Sequence, residues 1–407
     1  MTGSPRFFYF ISPPPRAVSP KSAIWQTPLP MSRNLFQKRG EISISHGEYF
    51  YAVGSFLKKD GYKRISAVLS QRLLQHVDPA DIRDIRIFLE KHGEFYHPAR
   101  IEINVLQQKI SFVLNVAVSV SGNQYIKKEY DHLKKLNDEF PISFLPQVYG
   151  FAKVESSEKP KIGMFLGEWF ENYNEYHLSM DPSDNKFKIH VWDDTNRRFF
   201  LSPEQTEILC KQVARIMTYY YNVETFEHIA QWHHASGDFI VRVDNADLDV
   251  KLITVRSYSP LFHDLDDVND EGKKAELILQ ALLIFFLKLS IRMQVDRIDG
   301  VGDFVWAKPS SVESTLKGML EGLALKPDIP SLPDSIETCF KYYLSICTRE
   351  NLFDLLEAMV NTFPSKSPEV PLIKVYLKEH GEALDRAIRR TLNQSAEPIL
   401  NPILNTI

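Results

Sequence analysis

The sequence predicts an α+β chain: a small antiparallel β lobe, then a larger helical lobe, behind a helical N-terminal extension. Three observations carry this. Residues 101–105 (IEINV) and 110–120 (ISFVLNVAVSV) are β-branched and partly alternating, as paired strands are. From about residue 201, apolar residues recur at three- and four-residue steps, the helical period. Residues 41–92 carry that same period ahead of the first strand.

The elements follow in order. Residues 1–30 hold seven prolines, including Pro13, Pro14 and Pro15. Proline removes backbone donors and favours extended polyproline II. Residues 1–40 therefore read as a disordered Pro-rich tail, or as an artefact of start-site choice, because Met31 opens a more ordinary sequence. The apolar run Phe7–Ile11 is too short for a signal peptide. In 41–92, Tyr51, Val53, Phe56 and Leu57 make one stripe, and Ile65, Val68, Leu69 and Leu73 another. A third helix is expected from Asp78-Pro79 through Ile82, Ile85 and Leu89.

The β lobe spans 93–178. Its first two strands meet near Gln107-Gln108, and Ser121-Gly122-Asn123 reads as a turn. A helix follows, with Ile126, Tyr130, Leu133 and Leu136 on one face, then strand candidates at 144–150 and 163–170. The helical lobe spans 179–393. Ser202 caps a helix with Pro203 in its first turn and Leu209, Val213, Ile216 and Met217 on its buried face. One hairpin, 239–243 with 249–255, interrupts the helices around Asp244–Asp247. Residues 394–407 are polar and Pro-punctuated, so a frayed tail is expected.

Composition excludes classes. The chain has 407 residues and a formal net charge of −4, so no one-signed field gathers nucleic acid or an anionic membrane. Its three cysteines, Cys210, Cys339 and Cys347, fit neither a disulfide scaffold nor a metal site. The most apolar window, Ala281–Ile291, contains Lys288 and falls short of the ~20 residues that a membrane span needs. A cytoplasmic protein is expected.

The order strand, strand, helix, strand, strand, then helices around an early hairpin, resembles the protein-kinase-like fold. The aminoglycoside and choline phosphotransferase branch is the nearest, over roughly residues 94–390. YIKKEYDHLKKL resembles the family's first helix, which makes Glu129 the partner of a strand lysine. That lysine's position falls on Asn115 in one alignment and on Ser119 in another. Asn115 can hydrogen-bond a phosphate but supplies no positive charge. MFLGEWFENYNEYHLS resembles the hinge that holds an adenine, with Gly167, Glu168 and Trp169 as its residues.

Trp232-His-His-Ala-Ser-Gly-Asp-Phe-Ile-Val241 resembles the catalytic loop and its following strand. One alignment puts Asp238 at the metal-binding asparagine and His233 at the catalytic aspartate. The other makes Asp238 the base. LITVRSYSP resembles the second metal-holding strand end, with Thr254 in place of the aspartate and Arg256 beside it as a phosphate contact. The resemblance thus implies ATP and Mg²⁺ as cofactors, His233 and Asp238 as catalytic residues, Asp238 as metal ligand, and Asn115, Glu129, Glu168, Trp169 and Arg256 around the nucleotide. The lysine, one metal ligand and the glycine-rich loop are absent, since Gly93 stands alone. Phosphoryl transfer works by positioning and charge neutralisation, so these losses remove most of it.

Other clusters offer other chemistry. His233 and His234 with His263, Asp264, Asp266 and Asp267, and Asp296 or Asp299 downstream, imitate an HD-type metal phosphohydrolase. His97 and Arg100 are candidate phosphate contacts, against a plain linker. His190 to Asp194 reads as a strand entering a turn at Asp193–Asn196. The leading expectation is a divergent, catalytically impaired kinase-like protein that binds a nucleotide or phosphorylated ligand, or serves as a partner-binding scaffold. The alternatives are an active ATP-dependent small-molecule phosphotransferase and, below it, the phosphohydrolase. Neither nucleic acid nor membrane is expected as a partner.

Overall fold

The computed structural model describes residues 4–30, 44–91, 93, 95–156, 159–192, 198–245, 247–262, 271–307, 311–364 and 366–394. The chain divides into two compact units, 1–172 and 173–407.

The first unit is built on a seven-stranded sheet. Its elements are β1 (Arg6–Ile11), β2 (Arg16–Val18), α1 (His46–Lys58), α2 (Lys63–Leu73), β3 (Ile82–Leu89), β4 (Ala99–Val105), β5 (Gln108–Ala117), α3 (Val120–Glu139), β6 (Val148–Ser156) and β7 (Lys159–Glu168). The sheet order is β2-β1-β3-β4-β5-β7-β6. Every pair is antiparallel except β1 with β3, which runs parallel from Arg6↔Asp84 to Ile11↔Leu89. One apolar core joins α1 and α2 to the sheet.

Two expectations are corrected here. Residues 4–30 are not a disordered tail. The prolines at 13–15 sit in the turn between β1 and β2, which leaves Arg-Phe-Phe-Tyr-Phe-Ile uninterrupted as a strand. Trp25 is 2% exposed and packs against Phe50 and Tyr9, with centroids 5.5 and 5.1 Å apart. It also demands Gly47 on α1, since a Cβ there would lie 2.2 Å from the Trp25 ring nitrogen. Residues 31–40 lie outside the described residues. The third helix is likewise replaced by β3. Asp78-Pro79 opens only a single 3₁₀ turn, Pro79–Asp81. Ile82, Ile85 and Leu89 fit a helical stripe, but Ile85, Ile87 and Leu89 also alternate, and all three are buried. With β1 and β4 on either side, the alternation wins.

The helix α3 begins earlier than expected. Ser119 caps it by accepting the Gly122 N–H at 3.0 Å, so Ser121-Gly122-Asn123 is its first turn. The carbonyl of Phe95 crosses so close that a Cβ on Gly122 would lie 2.3 Å from it.

The second unit contains β8 (Asn174–Asp181), β9 (Lys186–Trp192), β10 (Arg198–Phe200), α4 (Pro203–Tyr219), β11 (Glu227–Ile229), β12 (Ser236–Asp244), β13 (Asp247–Leu252), β14 (Tyr258–Pro260), α5 (Glu271–Arg292), β15 (Val295–Arg297), β16 (Phe304–Trp306), α6 (Ser311–Leu323), α7 (Ile336–Ile346), α8 (Arg349–Asn361) and α9 (Val370–Gln394). The expected hairpin forms, from Phe239↔Leu252 to Asp244↔Asp247. It is not isolated among helices, however. It supplies two strands of a five-stranded sheet ordered β10-β9-β8-β12-β13. The boundary placed at 178 falls inside β8, and the turn at Asp193–Asn196 lies outside the described residues. Residues 395–407 lie outside them too.

Helix α4 starts where its sequence says, with a reciprocal cap between Ser202 and Gln205. Its side chain Gln212 also covers the free edge of β13. The amide nitrogen donates to the Leu248 carbonyl at 2.5 Å, and the amide oxygen accepts the Val250 N–H at 3.0 Å, as a neighbouring strand would. On its other side α4 packs against α6 almost backbone to backbone. A Cβ on Gly318 would lie 2.0 Å from the Lys211 carbonyl. Among the described residues no helix is long and apolar enough to cross a membrane.

Two measurements check this packing. Trp25→Ala should lower unfolding stability by about 3 kcal/mol in urea titration. A change within noise would return residues 4–30 to a loose tail. Gly318→Leu should cost at least about 2 kcal/mol by forcing α4 and α6 apart. An unchanged melting temperature would refute the close approach.

Candidate functional site

The candidate site is the loop between β11 and β12, residues 230–235, with the first residues of β12 through Asp238, within the second unit. Gly237 takes φ +86°, and the pairing of β12 with β8 shifts register between Ser236 and Ile240. Such a bulge re-aims the side chains that follow it. Trp232 is buried at the loop's start, edge-on to Phe239 at 6.0 Å.

Asp238 is 1% exposed, so its charge must be paired. Four donors reach it. The His233 backbone N–H donates to Oδ2 at 2.8 Å, and Arg256 Nη1 donates to the same oxygen at 2.8 Å. Arg256 Nη2 lies 2.5 Å from Oδ1, and the Thr254 hydroxyl donates to Oδ1 at 3.2 Å. The guanidinium therefore grips both oxygens, the strongest form of the pair. A carboxylate offers about four lone-pair directions, and four donors use them. Thr254 and Arg256 arrive together because they follow the end of β13, directly beside β12 in the hairpin.

A second buried carboxylate holds the loop from the other side. Asp296 on β15 is 0% exposed. It accepts the Ala235 N–H at 2.6 Å, the Arg297 N–H at 2.7 Å and the Ser236 hydroxyl. His234 Nδ1 lies 3.1 Å from Asp296 and His233 Nδ1 3.6 Å from it. Burial pushes the His234 imidazole below its usual range, against the pull of Asp296, so this contact is not an ion pair at neutral pH. His233 keeps about a third of its side chain exposed, beside the Phe304 ring.

The sequence candidates fall into two groups. His233, Asp238 and Arg256 meet in one cluster. Asn115, Glu129, Glu168 and Trp169 belong to the first unit. Asn115 sits on β5 opposite Phe165, and Glu129 is buried on α3. Glu168 pairs with Arg72 at 2.8 Å, and its backbone N–H already donates to the Gln147 carbonyl at 2.8 Å. Trp169 has the Arg100 guanidinium 5.6 Å from its ring. Arg100 itself is held by Glu90 at 2.6 Å and by Glu102. His97 is buried, with Nε2 3.1 Å from the Pro30 carbonyl, and burial lowers its pKa. His263, Asp264, Asp266 and Asp267 lie outside the described residues. Among the described residues no group of three His, Cys, Asp or Glu side chains is placed to hold a metal ion.

Sequence reasoning gave Asp296 only a minor place, in the phosphohydrolase alternative. It lies 58 residues beyond Asp238 on a three-residue strand, β15, whose following residues Ile298 and Asp299 bond to Leu178 on β8, the neighbour of β12.

No family model matches the chain, and no curated protein matches it. Among solved structures, a chain described as "WaaP in complex with acyl carrier protein" is similar at 9% identity and a TM-score of 0.26. The match covers 75% of this chain and 88% of that one. A likeness at that score decides nothing about fold or function.

Arg256→Ala should destabilise the protein by about 3–5 kcal/mol, because it leaves Asp238 charged and buried. The double variant Arg256→Ala/Asp238→Ala should recover part of that loss. Additive effects in urea titrations would mean that the pair is not coupled.

Proposed function

We propose that the chain is a divergent kinase-like protein that works by binding rather than by phosphoryl transfer. The resemblance of its strand, helix and loop motifs supplies the class. The observation that carries the rest is the two-pronged grip of Arg256 on Asp238. A metal-dependent phosphotransferase needs a carboxylate with lone pairs free for a cation and positive charge free for phosphate. Here the candidate carboxylate and the candidate cation satisfy each other. Their geometry does not fit Mg²⁺: a dication at Asp238 would have to displace a guanidinium whose own charge repels it. Thr254, at the second ligand position, is turned to the same carboxylate.

One observation favours the enzyme reading. His233 keeps about a third of its side chain exposed and has Asp296 behind its Nδ1 at 3.6 Å, an arrangement suited to a general base.

Thermal-shift titration with millimolar ATP, with and without Mg²⁺ or Mn²⁺, separates the readings. The expected result is no metal-dependent shift and no ATP turnover. A shift with ATP alone would assign metal-free nucleotide binding, and no shift at all would favour a protein-binding scaffold. Metal-dependent turnover that is lost in His233→Ala would overturn the proposal.

A further inference from the structure

The sheet of the first unit has two faces of different character, since side chains alternate along each strand. Ile85, Ile87, Ile101 and Ile103 point to the core shared with α1 and α2. On the opposite face, α3 covers the β7 end, where Tyr130 packs on Phe165. Over β1, β3 and β4 that face carries rings and charges. Register puts Phe10 beside Phe88, and Phe88 beside Arg100. The two rings stack at 4.5 Å and 12°. The Arg100 guanidinium lies 4.1 Å from the Phe88 ring centre and 5.6 Å from that of Trp169. Phe8, two residues before Phe10, is 40% exposed.

The charges on this face do not cancel. Arg6, Arg83, Arg86, Arg100 and Lys109 stand on or beside it, against Asp84, Glu90 and Glu102. Asp84 and Glu102 are buried, and each is shared. Asp84 lies 3.1 Å from Arg83 and 3.5 Å from Arg86, and accepts the Asn104 amide at 2.6 Å. Glu102 pairs with Arg100, and with Lys109 at 3.4 Å. The side chains of Arg83, Arg86 and Lys109 stay 69%, 43% and 54% exposed. The cations outnumber the anions and are the outer groups. The formal charge of −4 belongs to the whole chain and does not describe this face. Its rings and cations meet only when β1 joins β3 from more than seventy residues away.

We propose that this face binds single-stranded nucleic acid, with bases on Phe8 and Phe10 and phosphates at Arg6 and Arg86. Every base has a π-face that stacks on an aromatic ring, and neighbouring cations track the backbone. Phe8 and Phe10 are two residues apart on one strand, about 7 Å, so each serves one base. The Arg6 guanidinium lies 5.9 Å from the Phe8 ring, and Arg86 is the cross-strand neighbour of Phe8. In a duplex the base faces are already stacked, so the rings gain nothing from it. Membrane-surface segments put apolar side chains on one side and cations on the other. Here both share one face of paired strands. The site lies in the first unit and does not rest on the reading of the Asp238 loop.

The test uses the full chain and a fluorescein-labelled oligouridylate of about 12 nucleotides, followed by fluorescence anisotropy at about 50 and about 200 mM salt. Saturable binding is expected, with a duplex RNA of equal length at least about tenfold weaker. Phe8→Ala should weaken binding at least about fivefold, and Phe8→Tyr should retain it. Arg6→Gln/Arg86→Gln should reduce the salt slope by about one. Phe8 and Arg6 are exposed, so an unchanged melting temperature is expected for Phe8→Ala and Arg6→Gln. Absence of binding, equal binding of the duplex, or unchanged affinity in Phe8→Ala would overturn the proposal. So would equal competition by free UMP, which would make the site a mononucleotide pocket, or binding of phosphatidylserine vesicles in place of the oligonucleotide.

Discussion

The loop at the heart of the second unit depends on a simple electrostatic requirement: a carboxylate taken out of water must be fully paired. Asp238 and Asp296 are both buried, and the loop between β11 and β12 is shaped around satisfying them. One gathers a guanidinium, a hydroxyl and a backbone N–H. The other gathers two backbone N–H groups and a serine hydroxyl. Neither could be removed alone without stranding its partners. Burial of that kind favours a rigid constellation over one open to exchange with a ligand.

The same accounting separates the cations of this unit. Arg256 spends its charge on Asp238. Lys326 caps the carbonyls at the end of α4. Lys288 meets the neutral imidazole of His228, with Arg292 one turn further along α5. Three basic groups of similar composition thus have different chemistry. For the two lysines the difference lies in what stands within about 3 Å of each: an imidazole for Lys288, two backbone carbonyls for Lys326.

Legibility followed range. Helix α4 was readable because its cap, first-turn proline and apolar face lie within seventeen residues of each other. The β12–β13 hairpin was readable because its partners are adjacent in sequence. The N-terminal strand was not, since its partner β3 is more than seventy residues away and the prolines around it spoke for disorder. The stretch 82–89 fits both periods, and only flanking strands decide between them. At the site, His233 and Asp238 stood out because loop and strand follow one another. Asp296 did not, because a distant short strand delivers it.

The local matters were determined by the sequence alone: helix starts and buried faces, the hairpin, and the clustering of polar groups at 232–238. These depend on interactions a few residues apart. Tertiary structure alone decided that Arg256 closes on Asp238 and that Asp296 stands behind His233. Whether a charge is free or spent depends on the groups that burial brings to it, and the chain order does not contain that distance.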